Sequence, residues 1–292
     1  MIDFGTVATA MVTPFDSKGN IDFAKTTQLV NYLIENGTTA IVAAGTTGES
    51  PTLTTEEKVA LFRHVVAAAN GRVPVIAGTG SNNTQASVEL TKKAEEAGAD
   101  AVMLVAPYYN KPNQEGLYQH FKTIAESTEL PVMLYNIPGR SVVTMTVDTI
   151  VRLSKIPNIV ALKDAGGDVL AMTEVIEQTD DSFAVYSGDD GLTLPAMAIG
   201  AKGVVSVASH IVGNEMQEMI AAFQEGEMKK AQQLHQLLLR VTKAVFMAPS
   251  PTPVKSALQM IGMDVGSVRL PLVPLTEEER QRLLQVIQSI PR

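Results

Sequence analysis

Short apolar runs rich in β-branched residues recur along the chain, each followed by a polar or glycine-containing break. They are Thr6–Thr13, Thr39–Gly45, Val73–Gly78, Ala101–Pro107, Val132–Tyr135, Ile159–Lys163, Phe183–Gly188 and Gly203–Ser206. The runs are continuous rather than alternating, the pattern of strands buried on both faces in a parallel sheet. Between them lie stretches with apolar residues at helical spacing: FAKTTQLVNYLIENG, TTEEKVALFRHVVAAANG, TQASVELTKKAEEAG, QEGLYQHFKTIAEST, TVDTIVRLSKI, LAMTEVIEQTD and GLTLPAMAIG. Several open on Thr or Asp with Glu in the first turn, and several close on Gly, as helix starts and stops do. Eight strand-then-helix units in about 225 residues predict an α/β fold, a (β/α)8 TIM barrel. A doubly wound open sheet is the weaker fit to the same pattern.

Residues 227–292 hold no further strand pattern. EMKKAQQLHQLLLRVTKAVFM, TPVKSALQMIG and TEEERQRLLQVIQSI read as helices, separated by the Pro-rich APSPTP and by VRLPLVPL. The predicted organisation is a barrel over 1–226 and a C-terminal helical appendage of three helices over 227–292.

Composition narrows the function classes. The chain has 292 residues, 45% of them hydrophobic, which is ample for a large core. Its net charge of -8 is made of interspersed acids and bases, which argues against a nucleic-acid partner or a polybasic membrane patch. Cysteine is absent, so neither a disulfide framework nor a thiolate metal site is possible. MIDFGTVATAMVTPF has no basic residue ahead of its apolar run, and no run approaches about 18 apolar residues. The expectation is a soluble cytoplasmic protein without a membrane partner.

In such a barrel the chemistry lies at the C-terminal ends of the strands. The segments there are Thr13-Pro14, GTTGES (45–50), GTGSNN (78–83), PYYNKP (107–112), YNIPGR (135–140), KDAGG (163–167), SGDD (187–190) and SHIVG (209–213). Hydroxyls, tyrosines, Arg140 and Lys163 converge on that rim. Histidine does not: His64, His120 and His235 fall on helix patterns and only His210 lies near it, so no His-rich metal site is expected. GTTGES and GTGSNN could cradle phosphate, but neither matches GxxxxGK[ST], and glycines after strands are ordinary barrel turns.

Lys163 is the conspicuous residue. A lone lysine at a strand end ordinarily snorkels to water. Here it closes the apolar run NIVAL, and Tyr135 closes the preceding strand on its inward face. Neighbouring strands lie about 4.8 Å apart, so the two side chains can meet over the barrel mouth. A free lysine is neutral only about once in 2,500 at pH 7, and an apolar wall disfavours the charged form. A neutral amine attacks a ketone to give an iminium, an electron sink that lets adjacent carbon–carbon bonds form or break without metal or cofactor. The proton shuttle can come from hydroxyls such as Tyr135 and Thr46.

GTTGES, PYYNKP, YNIPGR and LKDA, in this order and spacing, resemble the dihydrodipicolinate synthases (4-hydroxy-tetrahydrodipicolinate synthases). These belong to the pyruvate-dependent class I aldolase superfamily, which includes N-acetylneuraminate lyase. The resemblance covers essentially the whole chain. It implies that Lys163 forms a Schiff base with pyruvate and that the enamine attacks aspartate 4-semialdehyde, on the route to diaminopimelate and lysine. Tyr135 matches the tyrosine of proton transfer at the imine. Thr46 and Tyr109 match the rest of the hydroxyl relay, with Tyr109 reaching in from a neighbouring subunit of a homotetramer. Thr47 matches the residue that holds the pyruvate carboxylate, and Arg140 the receptor for the carboxylate of the second substrate. Gly188 and Val205 match backbone positions beside Lys163 and the substrate. No cofactor and no metal are implied.

The double threonine and Arg140 favour the synthase over a lyase of keto-sugar acids, which would need polar groups for several hydroxyls. A phosphate-binding isomerase and a barrel that has lost catalysis compete with it as well, and the second would have replaced Lys163 or Tyr135. Some members of the family are inhibited by lysine in a cleft whose matching positions here are Ser50, Pro51, Thr55, Lys58, Asn82, Ala86 and Tyr108. Lysine-sensitive members commonly carry glutamate at the position of Ala86 and histidine at that of Lys58. The resemblance therefore implies a chain that lysine does not inhibit.

Overall fold

A computed structural model describes residues 2–290. Met1, Pro291 and Arg292, which end the two predicted regions, lie outside the described residues. Eight parallel strands close into a barrel in sequence order, from β1 back to β8. They are β1 (Val7–Ala10), β2 (Ala40–Ala43), β3 (Val75–Gly78), β4 (Ala101–Val105), β5 (Val132–Asn136), β6 (Ile159–Asp164), β7 (Ala184–Ser187) and β8 (Gly203–Ser206). The fold is the predicted TIM barrel rather than the open sheet. Most strands are shorter than the apolar runs that announced them. The surplus residues, such as Thr13, Gly45 and Pro107, leave the ladder to form the rim.

Helices follow the strands, and side-chain caps fix where many of them begin. Asp22, Thr54, Asn83, Asn113, Thr146 and Asp168 each accept a backbone N–H from the first turn of the helix they precede. Such a cap is worth about 1 kcal/mol. The helix after the last strand was not legible in the pattern, nor was the short helix Pro138–Ser141. Ser209–Gln224 follows β8, so SHIVG is its first turn and not a free rim loop.

His210, in that turn, is a structural residue. Its Nε2 accepts the Val12 N–H at 3.1 Å while Nδ1 lies 2.8 Å from the Val207 carbonyl, which assigns the proton to Nδ1. Full burial pulls its pKa down to about 4. The ring therefore joins β1 to the segment after β8 as a neutral group.

Two apolar layers make the core. The outer one lies between strands and helices. The inner one fills the barrel with Ala8, Ala10, Ala40, Val42, Ile76, Ala101, Met103, Met133, Tyr135, Ala161, Tyr186 and Val205, with Phe4 at one end. Tyr186 is fully buried, and its hydroxyl donates to the Gly5 carbonyl at 3.0 Å, towards the N-terminal floor. The last three helices are Met228–Val245, Thr252–Met260 and Glu277–Gln288. They share a small cluster of Ala244, Ala257, Leu283 and Ile287. Among the described residues no helix is long and apolar enough to cross a membrane.

Candidate active site

A one-residue irregularity in β6 sets the direction of Lys163. On β5, Val132 and Leu134 pack outward on the helices, whereas Met133 and Tyr135 point into the barrel. Val132 pairs with Ile159, but Met133 pairs with Ala161, so Val160 is an extra residue between the two rungs. Side chains alternate along a strand, and a single-residue shift moves every later one to the opposite face. Counted without the bulge from outward-facing Ile159, Lys163 would point at the helices. With it, Ala161 faces inward and Lys163 is level with Tyr135 on one side and Tyr186 on the other.

Lys163 is 4% exposed, and its Nζ lies 4.1 Å from the centroid of the Tyr135 ring. Among the described residues it has no ion pair and no side-chain hydrogen bond. Gly188 keeps the space beside it open. A Cβ there would come within 3.1 Å of Lys163 Cε and 2.8 Å of Ala165 Cβ, so any side chain would push against the amine-bearing arm.

A second buried lysine gives the contrast. Lys255 is 2% exposed, but its Nζ is 2.7 Å from Glu49 Oε1 and donates to the Ser267 carbonyl at 2.8 Å. Burial pulls its amine below the ordinary lysine range, and the Glu49 carboxylate opposes the shift. Lys255 is held by a charged partner; among the described residues Lys163 has none and lies against the Tyr135 ring.

A cavity of about 260 Å³ opens at the C-terminal ends of the strands, and Thr46, Tyr108, Tyr135, Arg140 and Lys58 are among its walls. Thr46 belongs to a tight turn in which Glu49 N–H reaches the Thr46 carbonyl at 3.1 Å and Ser50 N–H the Gly45 carbonyl at 3.2 Å. Ala44 and Glu49 bracket the turn in the left-handed region, at φ 51° and 58°. Arg140 sits in the short helix Pro138–Ser141 with its side chain exposed and unpaired among the described residues. Lys163, Thr47, Gly188 and Val205 do not line this cavity: Thr47 and Val205 are buried, Gly188 is half-buried, and Lys163 is buried against the ring of Tyr135, which does line it.

Tyr109 stands apart. It is 88% exposed and has φ 74°, a conformation that a tyrosine adopts only under constraint. Its ring is outside the cavity of its own chain: the cavity brings together Tyr135, Thr46 and Arg140, with Lys163 against the Tyr135 ring, and leaves Tyr109 out.

The sequence reading missed the pair just beyond Tyr135 and Lys163. Asn136 Nδ2 donates to Asp164 Oδ1 at 3.0 Å, and Asn136 Oδ1 accepts the Met145 N–H at 3.2 Å. Burial pushes the Asp164 carboxyl above its ordinary value. The pair cross-links β5 and β6 on the outer face, one residue past the two inward groups, and so fixes their register. A signal was available: both apolar runs end in a second polar residue, YN and KD.

The sequence model of the dihydrodipicolinate synthetase family matches residues 3–290. The chain belongs to that family. A 4-hydroxy-tetrahydrodipicolinate synthase from Bacillus velezensis is 62% identical over 289 residues, covering 99% of this chain and 100% of that one. A solved dihydrodipicolinate synthase from Bacillus anthracis is 80% identical, with TM-score 0.99 and full coverage of both chains. A family structure from Cyanidioschyzon merolae, solved with lysine bound, is 46% identical, with TM-score 0.96, and covers 98% of this chain and 97% of that one.

Proposed function

We propose that the protein is a lyase that condenses pyruvate with L-aspartate 4-semialdehyde to 4-hydroxy-tetrahydrodipicolinate, in diaminopimelate and lysine biosynthesis. The observation that carries the mechanism is the buried, unpaired Lys163 amine against the Tyr135 ring. Lys163 Nζ attacks C2 of pyruvate and water leaves, giving the imine. Loss of a methyl proton yields the enamine, whose C3 forms a carbon–carbon bond with the aldehyde carbon. The amino group of the second substrate then attacks C2, closes the ring and expels the lysine amine. Tyr135, with Thr46 and Tyr109, carries the protons. Thr47 holds the pyruvate carboxylate, and Gly188 and Val205 shape the wall beside Lys163. The working form is a cytoplasmic homotetramer in which Tyr109 is shared across a tight dimer. An assay with both substrates tests the reading: product should form without added metal or cofactor, and turnover of a keto-sugar acid in preference to the semialdehyde would replace it.

Arg140 is the receptor for the carboxylate of the semialdehyde, because a guanidinium can bind a carboxylate through two parallel hydrogen bonds. Arg140→Ala should weaken use of the semialdehyde while imine formation with pyruvate survives. Loss of one charge-assisted interaction costs roughly 1.5–3 kcal/mol, on the order of 10- to 150-fold in kcat/KM. Steady-state kinetics with each substrate varied in turn checks this; an unchanged constant for the semialdehyde takes Arg140 out of the site.

L-Lysine should not inhibit at cellular concentrations. Ala86 is exposed in the first turn of Thr84–Glu96 and offers no carboxylate to a ligand ammonium. Lys58 lines the cavity, and burial pulls its amine below the ordinary lysine range. The missing carboxylate at Ala86 therefore weighs more against a bound lysine than the cation at Lys58 does. Removing one partner of a buried charge pair costs roughly 2–5 kcal/mol, or about 30- to several-thousand-fold in affinity. Initial rates measured up to tens of millimolar L-lysine should stay flat, and half-inhibition below about 1 mM would contradict this account of the cleft.

A further inference from the structure

The turn that carries Thr46 and Thr47 is gripped by residues from the far end of the chain. Glu49 lies two residues beyond Thr47 in left-handed backbone, and its side chain points away from the cavity into the protein, 3% exposed. One carboxylate oxygen is 2.7 Å from Lys255 Nζ, and the other accepts the backbone N–H of Arg269 at 2.8 Å. Lys255 is anchored in turn by the Ser267 carbonyl, and its Nζ lies 4.1 Å from the centroid of Phe15. The Arg269 guanidinium lies 4.5 Å from that ring, donates to the Thr52 carbonyl at 2.7 Å and to Glu57 at 2.8 Å, and through Nε to the Gly19 carbonyl at 2.8 Å. From the barrel side, Thr13 Oγ1 donates to the Gly48 carbonyl at 2.6 Å. The turn is thus held at Gly48 by the barrel and at Glu49 by the segment 252–269.

Stability alone is a poor reason for this arrangement. A buried ion pair is often no better than well-packed apolar side chains, and its best-attested use is to specify one arrangement. A turn with left-handed Ala44 and Glu49 persists only where its surroundings over-determine it. Glu49 is the side chain of GTTGE that reaches out of the turn, to the fully buried Lys255 and to the Arg269 N–H. The two hydroxyls that would meet the keto acid sit two and three residues before it.

We propose that Glu49 and Lys255 are positioning residues: their buried pair, with the Arg269 N–H, locks the 45–50 turn so that Thr46 and Thr47 are set for the keto acid at Lys163. The proposal rests on the reading of those threonines as pyruvate ligands. It makes a helix beyond the last strand part of the machinery that sets pyruvate affinity. Neither Glu49 nor Lys255 touches the reacting atoms.

The test is a split between the two substrates. Lys255→Met removes the cation while keeping most of the volume, and leaves the Glu49 carboxylate buried against a single N–H. The KM for pyruvate should rise by about tenfold or more, the scale of a lost partner in a buried charge pair, with the KM for the semialdehyde within about threefold. Borohydride trapping of the pyruvate imine should slow at low pyruvate and recover at saturation. Glu49→Gln combined with Lys255→Met removes both charges and should regain part of the loss. Thr47→Val is measured alongside. If it leaves the pyruvate KM unchanged, the ligand reading fails and the proposal with it. If Thr47→Val raises that KM but folded Lys255→Met does not, the positioning role alone is overturned. Equal loss on both substrates in Lys255→Met would mark a purely structural role and overturn it too. Should Lys255→Met not fold, Glu49→Gln, nearly the same shape as the native side chain, decides by the same criterion.

Discussion

Borohydride reduction in the presence of pyruvate is expected to attach one carboxyethyl group per chain, at Lys163 and not at Lys255. Both lysines are buried, so burial does not separate them. Their partners do. A Schiff base needs a lone pair on nitrogen and room for the carbonyl carbon beside it. The Lys255 Nζ is committed to the Glu49 carboxylate and the Ser267 carbonyl. The Lys163 Nζ faces the ring of Tyr135, which does line the cavity, and Gly188 leaves its arm clear. Lys163→Ala should keep the fold, since the inward position one layer below is already Ala161 and the barrel tolerates the small side chain. Activity should fall by about 10⁴-fold or more, the scale on which deletion of a covalent nucleophile is felt. Peptide mapping of the reduced adduct decides the matter. Label on Lys255, or an unlabelled protein that still turns over, would defeat the mechanism.

How far this site could be read in the chain depends on the range of the interactions that build it. The barrel was legible because each strand is an uninterrupted apolar run between caps, a local pattern. Tyr135 and Lys163 were legible as polar residues closing such runs at the end where a barrel does its chemistry. What aims Lys163 inward was not. The Val160 bulge lies inside Ile159–Leu162, where every residue is apolar and an inserted one leaves no mark. The Ser209–Gln224 helix was lost in a similar way. Its first turn contains a kink at Val212, and its opening residues read as rim loop. The grip on the 45–50 turn was equally hidden, because TPVKSALQMIG gives Lys255 the spacing of a surface lysine and only the tertiary fold brings Glu49 to it. Hydropathy assigns a lysine to water; it does not register a carboxylate brought in from the other end of the chain.

Tyr109→Phe and Lys163→Ala, each nearly inactive alone, are expected to restore activity to one another when unfolded together and refolded. The structure supplies two reasons to look to a second subunit. The Tyr109 ring is 88% exposed in the isolated chain, an unusual state for a large aromatic beside an active-site mouth. Its backbone is held at φ 74°, with Lys111 also left-handed at 47°, so the loop is built to project the ring outward. A hydroxyl so placed lies outside its own chain's cavity, and in a symmetric dimer it would serve the partner's site, with the exchange mutual. In a mixed dimer one site then has intact Lys163 from the first variant and intact Tyr109 from the second, while the other site lacks both. Random pairing makes half of the dimers mixed, each with one working site in two, so activity should return to about one quarter of wild type against a near-zero baseline. Native mass spectrometry reports whether mixed oligomers have formed. If they have and activity stays at the baseline, Tyr109 acts within its own chain or takes no part in the reaction.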